Sequence, residues 1–231
     1  MTLSNALDLF LNANSMGFTS NGSYTPNPNV VYIRVQVQAG GGGAGATDIT
    51  AGEGSAASGG GAGGYCEAYL NVGTLLPGPI AVTVGAGGVG ASSPAGSGGN
   101  GGNSSFGTFL VANGGTGGTG IPATSGQAST IGADIGRGGT ATGGMFNVTG
   151  GDGGFGFVNY TSLYAFGGKG GDSFLGYGGE GEYNVPAAGV VGQPSTGYGS
   201  GGSAFAQVVP FGVQNGNDGQ GGIVIITEFT R

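Results

Sequence analysis

Residues 30–45 read Val-Val-Tyr-Ile-Arg-Val-Gln-Val-Gln-Ala-Gly-Gly-Gly-Gly-Ala-Gly. The first nine alternate. Val31, Ile33, Val35 and Val37 share one face, and Tyr32, Arg34, Gln36 and Gln38 share the other. That period of two predicts a half-buried strand. The next seven residues carry almost no side chain. A strand therefore runs directly into a tract with nothing to bury, and the fold depends on what such a tract can do.

Further tracts follow at 59–64, 85–103, 113–120, 136–144, 150–156, 167–171 and 176–181. Glycine supplies 62 of 231 residues, about four times its usual share. It loses more backbone entropy on folding than any other residue. A chain this rich in glycine stays disordered or uses glycine where a Cβ cannot fit. The 12 Phe, the 9 Tyr, a charged fraction of only 6 % and a mean hydropathy of +0.12 argue against disorder. Val, Ile and Phe between the tracts argue against a flexible linker.

Triplets recur, as in Asn113-Gly-Gly-Thr-Gly-Gly-Thr-Gly120 and Gly167-Gly-Lys-Gly-Gly-Asp172. A period of three suits a left-handed threefold helix of the polyproline II kind, which has no internal hydrogen bonds. Several such helices side by side can bond laterally if the contacting positions are glycine. The repeat is not a strict Gly-X-Y and proline numbers only 9, which excludes collagen.

Other strands are predicted at 65–72, 80–84, 104–112 and 223–229, with 65–72 and 80–84 joined as a hairpin through Leu76-Pro-Gly-Pro79. The last strand must return to the early ones, so 113–222 reads as an excursion whose ends meet. The expected fold is all-β: a small antiparallel β-sandwich with an inserted lattice of polyglycine II helices and aromatic loops. Its parts are an N-terminal attachment segment (1–25), a strand framework (26–112), a glycine and loop region (113–222) and a closing strand (223–231). Leu3, Leu7, Phe10 and Leu11, with Ala6, have helical spacing over residues 1–14. Their stripe docks on a partner, on another copy, or back on its own domain. Residues 15–29 read as an extended lead-in.

The net charge is −7, with four basic residues: Arg34, Arg137, Lys169 and Arg231. These cannot form a basic patch, which argues against nucleic acid and anionic membranes as partners. No run reaches the ~20 apolar residues of a membrane span. With one cysteine, Cys66, an internal disulfide is excluded, and strand alternation buries that thiol. There is no histidine, so a His-dependent nucleophile triad is excluded. No metal site or cofactor is expected. Gly85-Ala-Gly-Gly-Val-Gly90 matches a dinucleotide fingerprint, but Ala91-Ser-Ser-Pro-Ala-Gly cannot continue as the required helix. The pairs Asp152/Asp172 and Glu180/Glu182 could in principle serve glycosidase chemistry. Nothing around them singles them out, and surface solubility is the expected role.

The aromatic loops are the functional candidates. Phe155, Phe157, Tyr160 and Tyr164 fall within 155–166, and Tyr177, Tyr183 and Tyr198 sit in glycine-flanked turns. Tyrosine with Ser, Gly and Asn is the composition of adaptable recognition loops. Some of these rings are expected to plug the lattice ends and others to face a ligand.

The ordered blocks Phe18-Thr-Ser-Asn-Gly-Ser-Tyr-Thr-Pro, Gly63-Gly-Tyr-Cys-Glu-Ala-Tyr-Leu, Val82-Thr-Val-Gly-Ala-Gly-Gly, Gly101-Gly-Asn-Ser-Ser-Phe-Gly and Asp218-Gly-Gln-Gly-Gly-Ile-Val-Ile-Ile resemble the glycine-rich receptor-binding domain of tailed-bacteriophage tail fibres and adhesins, over residues 18–229. The resemblance implies a polyglycine II lattice, recognition loops at a distal tip, and attachment to fibre or baseplate subunits through the N-terminus. It implies a homotrimer, or a single chain capping the fibre, placed in the virion after synthesis in a host cytoplasm. The expected function is non-catalytic binding of a host surface glycan or outer-membrane protein. The alternative is a structural virion protein, a decoration or fibre-connecting subunit.

Overall fold

The computed structural model describes residues 13–48, 54–75, 78–122, 130–131, 134–159, 164–185, 188–189, 192–208 and 212–230. Three antiparallel five-stranded sheets frame a body of glycine segments. Among the described residues the fold is all-β, apart from one helical turn, α1 (Val72–Leu75).

The first sheet runs β1 (Ala13–Phe18), β19 (Ile223–Thr230), β3 (Val30–Gln38), β5 (Tyr65–Asn71), β11 (Phe146–Val148). The second runs β10 (Ala141–Thr142), β8 (Leu110–Ala112), β7 (Ser104–Phe106), β6 (Ile80–Thr83), β2 (Gly22–Tyr24). Ile33, Val35, Val37 and Ile226 of the first meet Phe106 and Leu110 of the second, all fully buried. This is the expected sandwich. Cys66 lies in its core, where burial pushes the thiol up to about 11.

Several expectations are corrected. β5 and β6 are not a hairpin: β5 pairs with β3 and β11, and β6 with β2 and β7 in the opposite sheet. Residues 104–112 form two strands around Gly107, whose φ of +52° turns the chain. The helix expected over 1–14 does not include residues 13 and 14, which pair with Phe229 and Glu228. The lead-in at 15–29 contributes β2 and most of β1. Leu3, Leu7, Phe10 and Leu11 lie outside the described residues.

The glycine lattice is built on two central segments. In 39–47, Ala39, Gly42 and Gly45 donate to the carbonyls of Gly64, Gly61 and Ser58. Gly40, Gly43 and Ala46 donate to Gly102, Gly99 and Gly96, and Gly41, Ala44 and Thr47 to Gln220, Asn217 and Gln214. Each third residue meets the same neighbour, as a threefold screw requires. The carbonyls of Gly40, Gly41 and Gly42 accept from Gly115, Gly88 and Gly202, which adds segments 113–119, 85–91 and 199–205. Hexagonal surroundings result. Segment 57–64 repeats the pattern, donating to 199–205, 113–119 and 150–154. Residues 39–46 and 57–64 are buried throughout.

The expected division of the chain at residue 112 is therefore not a structural boundary. Both central segments precede it, and each continues a strand: β3 runs into 39–47, and 57–64 runs into β5. A backbone with three donor directions must be surrounded to be satisfied, and early and late tracts share that task. Outer segments with fewer neighbours use side chains. The oxygens of Asn103, Asn100, Asp152, Asp172 and Asp218 accept from Gly114, Gly117, Gly138, Gly178 and Gly90.

The third sheet runs β16 (Ala188–Gly189), β15 (Tyr183–Val185), β13 (Tyr164–Phe166), β12 (Phe157–Asn159), β9 (Thr130–Ile131). With the pair β18 (Ala206–Gln207) and β4 (Ser55–Ala56) it closes the lattice end opposite the sandwich. A two-stranded ribbon, β14 (Leu175–Tyr177) with β17 (Thr196–Tyr198), lies at the sandwich end, where Phe174 stacks on Tyr65 at 4.1 Å.

Candidate functional site

The chain alternates again at β12 and β13, and this alternation sorts the aromatic side chains. Val158 and Ala165 point inward and pack with Ala56, Ile121, Ala206 and Val208. Phe157, Tyr164 and Phe166 take the other face and are partly exposed. Phe157 pairs with Phe166 across the ladder, and their rings stack at 5.2 Å. Tyr164 meets both rings edge-on, at 6.1 and 5.8 Å. Phe155, 48 % exposed, leans on Phe166 at 5.8 Å. The result is a continuous aromatic face at the lattice end.

Charged groups pair on the outer lattice surface. The Gly154 and Lys169 backbones are hydrogen-bonded, at the feet of Phe155 and Phe166. Lys169 holds Asp172 at 3.1 Å and approaches Glu180 at 3.8 Å. The Asp172 contact raises the Lys169 ammonium above its ordinary value. Arg137 pairs with Asp152 at 3.0 Å. The Gly138 amide, with Arg137 second, holds the Asp152 carboxyl below the usual range. Asp152 and Asp172 thus bond lattice amides and neighbouring cations rather than face each other across a cleft. Glu182 is buried beside the Ala206 amide, and burial raises its carboxyl. Chemically, the lattice end offers partly exposed ring faces.

The structure brings together only part of the predicted set. Phe155, Phe157 and Tyr164 form the aromatic face. Tyr183 lies on β15, in the same sheet, and Tyr160 falls outside the described residues. Tyr177, 76 % exposed, and Tyr198 belong to the ribbon at the sandwich end, away from the others. Phe166 was missed as a candidate although Tyr164-Ala165-Phe166 alternates, which alone places it beside Tyr164. Among the described residues no group of three or more His, Cys, Asp or Glu could hold a metal ion. No helix among them is long and apolar enough to cross a membrane.

No curated protein matches the chain. A family model described as a glycine-rich domain matches residues 18–228, from the end of β1 to Glu228 in β19. The lattice and the sandwich it grows from both lie within that span, and the chain belongs to the glycine-rich domain family.

Proposed function

We propose that this chain is a tail-fibre tip or adhesin of a tailed phage, and that its aromatic lattice end binds a host surface glycan or outer-membrane protein without catalysis. The supporting observation is the molecule's polarity. Asp48, Ile121, Val158 and Val208 all lie at the aromatic end of the lattice. They and their neighbours converge there: Gln207 bonds Thr47, Ser55 bonds the Ile121 carbonyl, and Val158 packs on Val208. The first and last strands, β1 and β19, pair in the sandwich at the other end. In this reading the sandwich end faces the fibre and the aromatic end faces the host. Ring faces suit sugar rings and apolar loops alike.

The test is adsorption of the purified protein to a glycan array and a panel of bacterial cells. Phe155→Ser with Tyr164→Ser should weaken binding at least about tenfold, as loss of two contact anchors does. Tyr177→Ser should leave it unchanged. Equal loss with Tyr177→Ser, or no loss with the double variant, would sink the assignment of this face. A folded protein that binds neither panel would favour the alternative, a structural virion subunit.

A further inference from the structure

The aromatic sheet is joined to the lattice through a residue with a buried carboxyl. Glu182 ends the outer segment 178–182 and is 6 % exposed. Its carbonyl accepts from the amide of Gly167, the residue after Phe166, at 2.6 Å. Its own amide donates to the Ala204 carbonyl at 3.3 Å, and its Oε2 accepts from the Ala206 amide at 3.3 Å. One residue therefore holds both the end of β13, which carries Tyr164 and Phe166, and β18, which pairs with β4. Ala165 of β13 and Ala206 of β18 pack in the same buried cluster.

Among the described residues no cation answers this carboxyl. The adjoining segments 166–168 and 204–207, and β4 behind them, contain no ionisable residue. Glu180, two residues back, has a side chain 71 % exposed and approaches Lys169, which Asp172 also holds. A buried charge without a partner is costly, and the neutral acid is much less so. Burial accordingly raises the Glu182 carboxyl. The chain has no histidine, and burial pushes its single thiol up to about 11. Side-chain titration across neutral pH is thus left to a raised carboxyl.

We infer that Glu182 is a positioning residue for the aromatic face, joining β13 to β18 while its carboxyl is neutral and parting them when it ionises. Ionisation is relieved by water, which reaches the carboxylate only if the contacts of Gly167 and Ala206 open locally. Phe157, Tyr164 and Phe166 then lose their fixed mutual geometry. The closed sheet binds this proton more tightly than the open one, so order is complete at acidic pH and falls as pH rises through the raised value. The consequence for adsorption rests on this face being the receptor-binding surface; the consequence for the sheet does not.

Hydrogen exchange of the full-length protein from about pH 4 to about pH 9 tests this, read by mass spectrometry on peptides covering 164–168 and 204–207. Rates are corrected for the intrinsic pH dependence of amide exchange. Corrected exchange in the parent should rise at least about tenfold across that range. Glu182→Gln should keep its low-pH protection throughout. Glu180→Gln, altered at an exposed carboxyl, should follow the parent. A flat parent, or an equal rise in Glu182→Gln, would overturn the proposal whatever the chain adsorbs to. On any cell or glycan that the parent adsorbs to, adsorption should weaken in step with exchange and stay constant for Glu182→Gln. Adsorption indifferent to a measured opening would overturn the role in positioning. A sheet that opens with pH in a protein that adsorbs to nothing would keep Glu182 as the switch and remove the receptor-binding reading instead.

Discussion

At the scale of single residues, the lattice is a demand for the absence of a Cβ. A methyl at Gly42 would sit under 3.0 Å from the Thr116 carbonyl and the Gly117 nitrogen, both backbone atoms that cannot turn aside. Gly221 lies at the rim, and a methyl there would find its nearest atom, the Gly85 carbonyl oxygen, at 3.8 Å. Gly42→Ala should therefore cost about 3 kcal/mol or more, since relief means parting hydrogen-bonded segments. Gly221→Ala should be neutral or stabilise by about 0.5 kcal/mol through the unfolded chain. Paired denaturant titrations check both, and equal losses would refute the packing argument. The glycine count alone could not separate these two positions, because both are flanked by glycine. Their difference comes from which segment stands opposite.

Elements here are joined by continuation rather than by loops. β3 and β5 share register with one another, Val37 opposite Cys66 and Ile33 opposite Leu70, and each is prolonged into a central lattice segment. Side chains make the sandwich core, and backbone bonds replace them beyond Gln38. The weaker joint is at the far end, where the buried Glu182 touches the Ala206 amide beside β18. Burial raises its carboxyl, so the folded state binds that proton more tightly than the unfolded chain. The contribution to stability is present in full below the ordinary carboxylate range, near ~4.3, and is lost as pH rises through the raised value. Glu182→Gln keeps an acceptor and removes the charge. Its thermal midpoint should exceed the parent's at pH 7, and the gap should close below about pH 4. A gap that persists at low pH would show that charge burial is not the cause. Strand alternation made β3, β12 and β13 readable, because period two needs only local sequence. The separation of β5 from β6 was not readable, because the choice of sheet depends on what β2, β7 and β11 offer from far along the chain.

For the whole molecule, the central segments tie both ends together. Segments 39–47 and 57–64 bond to early and late tracts alike, from 85–91 to 214–220. Neither the sandwich nor the lattice has a boundary at which to part. Heating should give one calorimetric transition, with amides of 39–46 and 57–64 exchanging slowest and only through global opening. Two resolved transitions, or faster exchange there than in β1, would contradict this coupling. The same architecture explains what was legible at the candidate site. Five rings in 155–166 announced an aromatic surface, and their alternation sorted Phe157, Tyr164 and Phe166 from Val158 and Ala165. Tyr177 and Tyr198 looked equivalent in their glycine turns but ended at the opposite side, because 172–178 and 195–199 turn at the sandwich end of the lattice. By itself the sequence determined the all-β class, the outline of the main strands and the threefold glycine segments, since period two, period three and the missing Cβ are local properties. The tertiary structure decided which segments became central, which glycines cannot change, and which rings share a face. Those depend on neighbours: a threefold helix makes no hydrogen bonds of its own, and its place is set by the segments that surround it.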